Sequence, residues 1–153
     1  MMGVLTVRSF EAGDEPAIVE LHRQSSRWFE ESSLSLDYVR QCSFRPDFRF
    51  FVAEYNGKIV GFSGVLFYES VGRAEIGPIC TSSDLMNHGV GSLLLEKVFG
   101  FLKERGIHRV VARLKSSNVS GISFFQANGF IKEAELECYT KRRELVVQMV
   151  KFL

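Results

Sequence analysis

The sequence predicts an α/β fold, a mixed and mostly antiparallel central sheet of about seven strands with four helices, in the order βααβββαβαββ. Three observations predict it. Asn56-Gly57 separates two apolar runs, and Asn-Gly is the favoured type I′ hairpin turn. An apolar stretch ending at Cys80-Thr81 meets a polar turn, then Gly89-Val90-Gly91, then the amphipathic run from Leu93 to Phe99, which reads as strand, glycine loop and helix start. Finally, a strand over Arg109–Leu114, a helix through Asn128 with Gly129 just past its end, and two closing β runs form a crossover and a last strand pair.

Each element has a local reason. Val4–Ser9 alternates as a strand. Asp14 is placed to cap a helix beginning near Pro16, with Ile18, Leu21 and His22 on one face. Ser35 caps a second short helix carrying Tyr38, Val39 and Cys42. Phe50–Tyr55 and Lys58–Phe67 are the hairpin strands. Arg73–Thr81 is a strand interrupted by Gly77-Pro78; proline cannot donate to a ladder, so this strand is expected to bulge or lose a neighbour there. Val90, Leu94, Val98, Phe101 and Leu102 recur at helical spacing over Gly91–Arg105, with Gly106 at the cap. Asn118 caps the next helix, which runs through Asn128. Phe130–Tyr139 and Leu145–Phe152 close the sheet.

The bulk properties exclude several function classes. With 153 residues, 46% of them apolar, the chain can bury a sizeable core and is expected to form a single domain over 1–153. No apolar run approaches the roughly 18 residues a spanning helix needs, and Met1-Met2-Gly3-Val4-Leu5 lacks the charged start of a secretory leader, so a cytoplasmic location with no membrane partner is expected. A net charge of +1 argues against nucleic acid as a partner. Residues 1–76 hold 8 Lys/Arg and 11 Asp/Glu, whereas 77–153 hold 11 and 7. The glycine loop therefore lies in the basic half, which suits an anionic ligand there and a cationic acceptor near the acidic half. Cys42, Cys80 and Cys138 lack metal spacing and read as buried free thiols. His22, His88 and His108 are isolated, so no metal is expected.

The loop itself is the informative motif. Backbone N–H groups at a helix start, with the positive end of its dipole, bind anions, and glycines let the backbone approach a phosphate. A dinucleotide fold is disfavoured, because Leu94 stands where its third glycine belongs and no acidic residue ends the strand at Leu114-Lys115.

Two motifs together resemble the GNAT superfamily of acetyl-CoA-dependent N-acetyltransferases. Met86-Asn87-His88-Gly89-Val90-Gly91 is similar to the family's Gln/Arg-x-x-Gly-x-Gly/Ala loop, departing at Met86. Asn118 followed by Phe125-Gln126-Ala127-Asn128-Gly129-Phe130 is similar to its second pattern. The resemblance implies acetyl-CoA as co-substrate, its pyrophosphate on the N–H groups of His88, Gly89, Val90, Gly91 and Ser92. Met86 contributes backbone only, with Lys97 or Lys115 as a compensating base. It implies that the pantetheine arm adds to the strand edge at Ile79, Cys80 and Thr81, and that Asn118 and Phe125 lie beside the cofactor.

For the chemistry, the resemblance implies Glu75, in Ala74-Glu75-Ile76, as the base; the plainer reading is a surface glutamate beside an arginine. Strand alternation puts Glu75 on one face with Gly77, Ile79 and Thr81 unless a bulge intervenes. Phe125 fills the position where many relatives carry a proton-donating Tyr, so Tyr139 or Tyr68 is the replacement candidate, and a backbone N–H such as that of Cys80 the oxyanion donor. Trp28, Phe29, Glu30, Glu31, Glu69, Glu133, Glu135, Glu137 and Tyr139 mark the acceptor region and suit a cationic amine, although Glu133, Glu135 and Glu137 also fit a solvated strand face. Relatives often dimerise through the last strands, so a homodimer stays open. The alternative function is a catalytically idle acyl-CoA-binding sensor or subunit.

Overall fold

The computed structural model describes residues 3–31, 33–86 and 88–153. In chain order it contains β1 (Leu5–Ser9), α1 (Glu15–Gln24), α2 (Leu36–Ser43), β2 (Phe48–Tyr55), β3 (Lys58–Tyr68), β4 (Arg73–Thr81), α3 (Val90–Glu104), β5 (Arg109–Lys115), α4 (Val119–Ala127), β6 (Ile131–Leu136) and β7 (Val146–Phe152), with short 3₁₀ turns at Ser26–Trp28, Glu69–Val71 and Ser83–Leu85. This is the order read from the sequence. The strands form one sheet, β1-β2-β3-β4-β5-β7-β6, in which only β4 and β5 run parallel.

Local chemistry sets most boundaries. Ser35 Oγ accepts the Tyr38 N–H at 3.0 Å, and Asn118 Oδ1 accepts the Gly121 N–H at 3.0 Å, as capping requires. Asp14 is a correction. It makes no side-chain cap; its buried carboxylate instead accepts the Glu11 N–H at 2.8 Å and grips Arg8 at 2.9 and 3.1 Å. The Arg8 guanidinium and the Glu11 amide hold the Asp14 carboxyl below its ordinary range, against the opposing effect of burial. A charged partner supplied by β1 thus outcompetes the helix N-terminus for this side chain.

Two apolar layers sandwich the sheet. On one face Leu94, Leu95, Val98 and Leu102 of α3 and Phe125 of α4 meet Phe51, Val65, Ile76 and Met149. On the other, Ile18 and Leu21 of α1 and Val39 and Cys42 of α2 meet Phe50, Val52, Phe62 and Cys80. Cys138 departs from the expected buried thiols: it is exposed, in the left-handed region at φ +52° just past β6.

Gly77-Pro78 does both things expected of it. Against β3, Ser63 pairs with Ile79 but Val65 with Ile76, so two residues of β4 oppose Gly64 alone. Such a bulge inverts side-chain parity. Ala74 and Ile76 lie in the α3 layer, whereas Cys80 lies in the α1–α2 layer. Glu75 consequently shares its face with Cys80, and not with Ile79 and Thr81 as plain alternation predicts. Against β5, pairing covers only Arg73, Ala74 and Glu75, opposite Arg109, Val110 and Val111. Beyond Glu75 the two parallel strands part. A second bulge, between Lys132 and Ala134 of β6, separates the acidic residues that the sequence places on one side. Glu133 meets Gln148 and Arg109, while Glu135 sits opposite Val147 of the core and pairs with Lys132.

Candidate active site in the parted sheet

The separation of β4 from β5 opens a cleft of about 480 Å³. Its walls are the free edge of β4, the start of α3, the end of β5, the start of α4 and the turn holding Trp28 and Phe29. On the β4 wall the backbone alternates. The Ser82 N–H donates to Val60 O at 2.8 Å, so Ser82 and, two residues back, Cys80 turn their amides toward β3. The amides of Ile79 and Thr81 therefore point into the cleft. The Cys80 amide, expected as the oxyanion donor, therefore faces β3 and not the cleft. Burial pushes the Cys80 thiol up to about 12, so it stays protonated in the core beneath α1 and α2.

The helix start forms the second wall. Gly89 has φ +82°, a conformation that strains any side chain, and its carbonyl accepts the Leu93 N–H at 3.0 Å. The amides of Gly89, Val90, Gly91 and Ser92 are thus the ones without an intrahelical acceptor. The expected donor set shrinks by one, because the His88 N–H already donates to Leu85 O at 3.2 Å. Asn87 lies outside the described residues. Gly91 is small for another reason: a Cβ there would stand 2.8 Å from Cζ of Phe124 on α4. The first glycine of the loop serves backbone conformation and the second serves the approach of two helices.

A chain of polar side chains crosses the third wall. Arg113 of β5 has its guanidinium 3.1 Å from the Glu75 carboxylate and donates through Nε to Gln148 Oε1 at 2.9 Å. Gln148 donates in turn to Glu133 at 2.8 Å, and Glu133 accepts from Arg109. Lys115 Nζ donates to Arg27 O at 3.1 Å and pairs with Glu144 at 3.4 Å, which ties the end of β5 to the two loops flanking the cleft.

A family model described as the Acetyltransferase (GNAT) family matches residues 16–130, a span that includes both cleft-forming strands and the glycine loop. The chain belongs to the GNAT family. Among curated relatives, this GNAT chain is 34% identical over 93 residues to an uncharacterized N-acetyltransferase of Chlorobaculum tepidum, covering 61% of this chain and 56% of the relative. It is 28% identical over 135 residues to an uncharacterized N-acetyltransferase of Methanocaldococcus jannaschii, covering 82% of this chain and 60% of that one. The chain thus spans somewhat over half the length of these two curated relatives. Among solved structures the fold matches a ribosomal-protein-alanine N-acetyltransferase from Brucella melitensis with TM-score 0.84 at 22% identity, covering 97% of this chain and 99% of that one. It matches a spermidine N-acetyltransferase from Vibrio cholerae, solved with CoA and spermine, with TM-score 0.84 at 19% identity, covering 97% and 95%.

The GNAT cleft brings together most residues singled out from the sequence. Ile79, Cys80, Thr81, Met86, Gly89, Val90, Gly91, Ser92, Asn118 and Phe125 all line it. Glu75 stands behind the lining, at Arg113. Tyr139 and Tyr68 do not line it; both are exposed, Tyr139 in the turn past β6 and Tyr68 at the end of β3. Lys97 belongs to a separate groove between β1 and α3. Of the expected acceptor residues only Trp28 and Phe29 reach the cleft. Phe125 is buried and packs edge-on against Phe130 at 5.0 Å. Arg113 is the principal residue that sequence reasoning missed: an arginine inside a β run looks like an exposed strand position, and only the pairing of β5 with β4 puts it against Glu75. No group of three or more His, Cys, Asp or Glu fit to hold a metal occurs among the described residues, and no helix among them is long and apolar enough to cross a membrane.

Proposed function

We propose that this protein transfers the acetyl group of acetyl-CoA to a primary amine by direct attack of the amine nitrogen on the thioester. The observation that carries the reading is the meeting of two kinds of unused backbone donor in one cleft: the free edge of β4 and the open amides of Gly89, Val90, Gly91 and Ser92. The helix amides and dipole suit a diphosphate, and the strand edge suits an extended amide-bearing arm that pairs like an added strand. The spermidine enzyme solved with CoA has the same fold.

In this reading the amides of Ile79 and Thr81 supply the donors for the oxyanion that forms at the thioester carbonyl. Glu75 takes the amine's proton, the new C–N bond forms, the C–S bond breaks, and the thiolate leaves. A thiol with an ordinary pKa of about 8.5 needs little help as a leaving group, which accommodates Phe125 at the family's tyrosine position. Cys80, buried and protonated, is left out of the transfer.

Calorimetry with acetyl-CoA, followed by release of free CoA in the presence of a panel of primary amines, tests the proposal. Binding in the micromolar range and turnover that Glu75→Gln cuts by about 100-fold, within the range general base catalysis supplies, are expected. Absence of acetyl-CoA binding overturns it. Tight binding with no turnover on any amine favours the second reading, an acyl-CoA sensor, to which the lack of a tyrosine in the cleft lends support.

A further inference from the structure

We infer that the acceptor is a zwitterion, an α-amino acid with an apolar side chain, whose carboxylate is held by Arg113 while its amine faces Glu75. The inference rests on the acetyl-transfer reading and deepens it.

Charge at the cleft argues first. The sequence suggests a cationic acceptor drawn by glutamates, but the structure removes them: Glu133 is bound to Arg109 and Gln148, Glu135 to Lys132, and Glu30, Glu31, Glu69 and Glu137 do not line the cleft. Among the residues that line the cleft, Arg113 is the one charged side chain, with the Glu75 carboxylate against it behind the lining. A lining whose one charged side chain is a cation repels a polycation and favours an acceptor that brings an anionic group of its own.

Geometry argues second. The terminal nitrogens of Arg113 make no hydrogen bond among the described residues; the 3.1 Å approach of Glu75 is an ion contact only. The guanidinium is nonetheless fixed from behind, through Nε and Gln148, itself held by Glu133. A guanidinium locked at Nε, whose outer nitrogens meet only the Glu75 carboxylate among the described residues, presents a planar donor pair to an incoming carboxylate once Glu75 turns to the ammonium. Its neighbour at 3.1 Å is a carboxylate suited to an ammonium. An α-amino acid holds its two charged groups on one carbon, with N–Cα about 1.46 Å and Cα–C about 1.52 Å. It can therefore take both partners together, each charge replacing the contact that the Glu75–Arg113 pair gives up. Trp28 and Phe29, which line the same cleft, supply an apolar surface for the side chain.

Matched acceptors test this. With saturating acetyl-CoA, phenylalanine is expected to give a kcat/KM at least tenfold above phenylalaninamide, with spermidine below both. Arg113→Gln should bring the acid and amide within twofold of each other, mainly by raising KM for the acid, and Arg113→Lys, which keeps the charge without the fork, should restore part of the preference. Thermal melting of both variants within about 3 °C of the parent separates loss of recognition from loss of fold. Amide or spermidine used as well as the acid, or Arg113→Gln lowering both acceptors equally, overturns the inference. Should no amine be acetylated at all, the acetyl-transfer reading fails by itself. Binding then decides the inference separately: by calorimetry on the CoA-saturated protein, phenylalanine preferred over its amide and lost in Arg113→Gln upholds it, and equal or absent binding of the two sinks it.

Discussion

Gly91 and Phe124 touch across the start of the cleft, with the aromatic ring edge where a Cβ would stand. The contact is between the first turn of α3 and the middle of α4, the two helices that carry the family's two sequence motifs. Both motifs are thus visible in one packing contact.

Replacing Gly91 by Ala drives the new Cβ to 2.8 Å from a rigid ring. Overpacking of this kind costs roughly 1–3 kcal/mol, and at this chain length each kcal/mol lowers Tm by about 2–4 °C. Thermal unfolding of Gly91→Ala should show that loss, and Phe124→Leu on the same background should recover part of it. An Ala variant as stable as the parent contradicts the packing role of the second loop glycine.

Met86 lines the cleft and is 53% exposed, at the position where its loop departs from the Gln/Arg-x-x-Gly-x-Gly/Ala pattern it resembles. Met86→Arg should bring a cation to the glycine loop and tighten acetyl-CoA by about 1 kcal/mol, roughly a fivefold lower Kd. The gain should shrink as salt rises to about 0.5 M, as screening demands. Calorimetry at two salt concentrations checks both statements; equal affinities for parent and variant refute the placement of the phosphates.

His22 is wholly buried, stacked on Phe29 at 4.7 Å, and neither ring nitrogen has a partner among the described residues. Burial pushes its pKa below the ordinary value, opposed by the nearby charge of Glu31. The unfolded chain, titrating at about 6.5, then takes up a proton that the folded chain refuses. This contribution to stability is whole above about pH 6.5 and is lost as pH falls toward the folded value. Tm measured between about pH 7.5 and 5.5 should therefore fall more steeply in the parent than in His22→Phe. Parallel curves would show that this imidazole is not the group responsible.

The cysteines should react in the order of their exposure. Cys138 is exposed, Cys42 and Cys80 are buried, and the Cys80 thiol is held protonated up to about 12. Iodoacetamide on the native protein should label Cys138 first, with Cys80 modified only after denaturation. Mass spectrometry reads the order. Acetyl found on Cys80 during turnover contradicts direct transfer.

Much of the fold was legible because its signals are local. Asn56-Gly57 forms the β2–β3 hairpin, Ser35 and Asn118 cap their helices, and the spacing of Leu94, Val98 and Leu102 buries one face of α3. Gly89 announces its loop because φ +82° favours glycine over residues that carry a Cβ. Where one group has two competing partners within reach the reading failed. Asp14 left its helix for Arg8, and His88 spent its amide on Leu85. Single-residue bulges at Gly77-Pro78 and beside Glu133 reversed the faces on which Glu75, Ile79, Glu133 and Glu135 were expected.

The sequence by itself determined the order of elements, the glycine loop and its kinship, since turn chemistry and apolar periodicity act over a few residues. Only the tertiary structure decided which groups meet in the cleft. That depends on where β4 leaves β5, on the Cys80 amide turning away from the gap, and on Arg113 lying against Glu75. Sheet register joins residues 38 positions apart in this last pair, and side-chain parity across a bulge is fixed by the partner strand rather than by the strand's own residues.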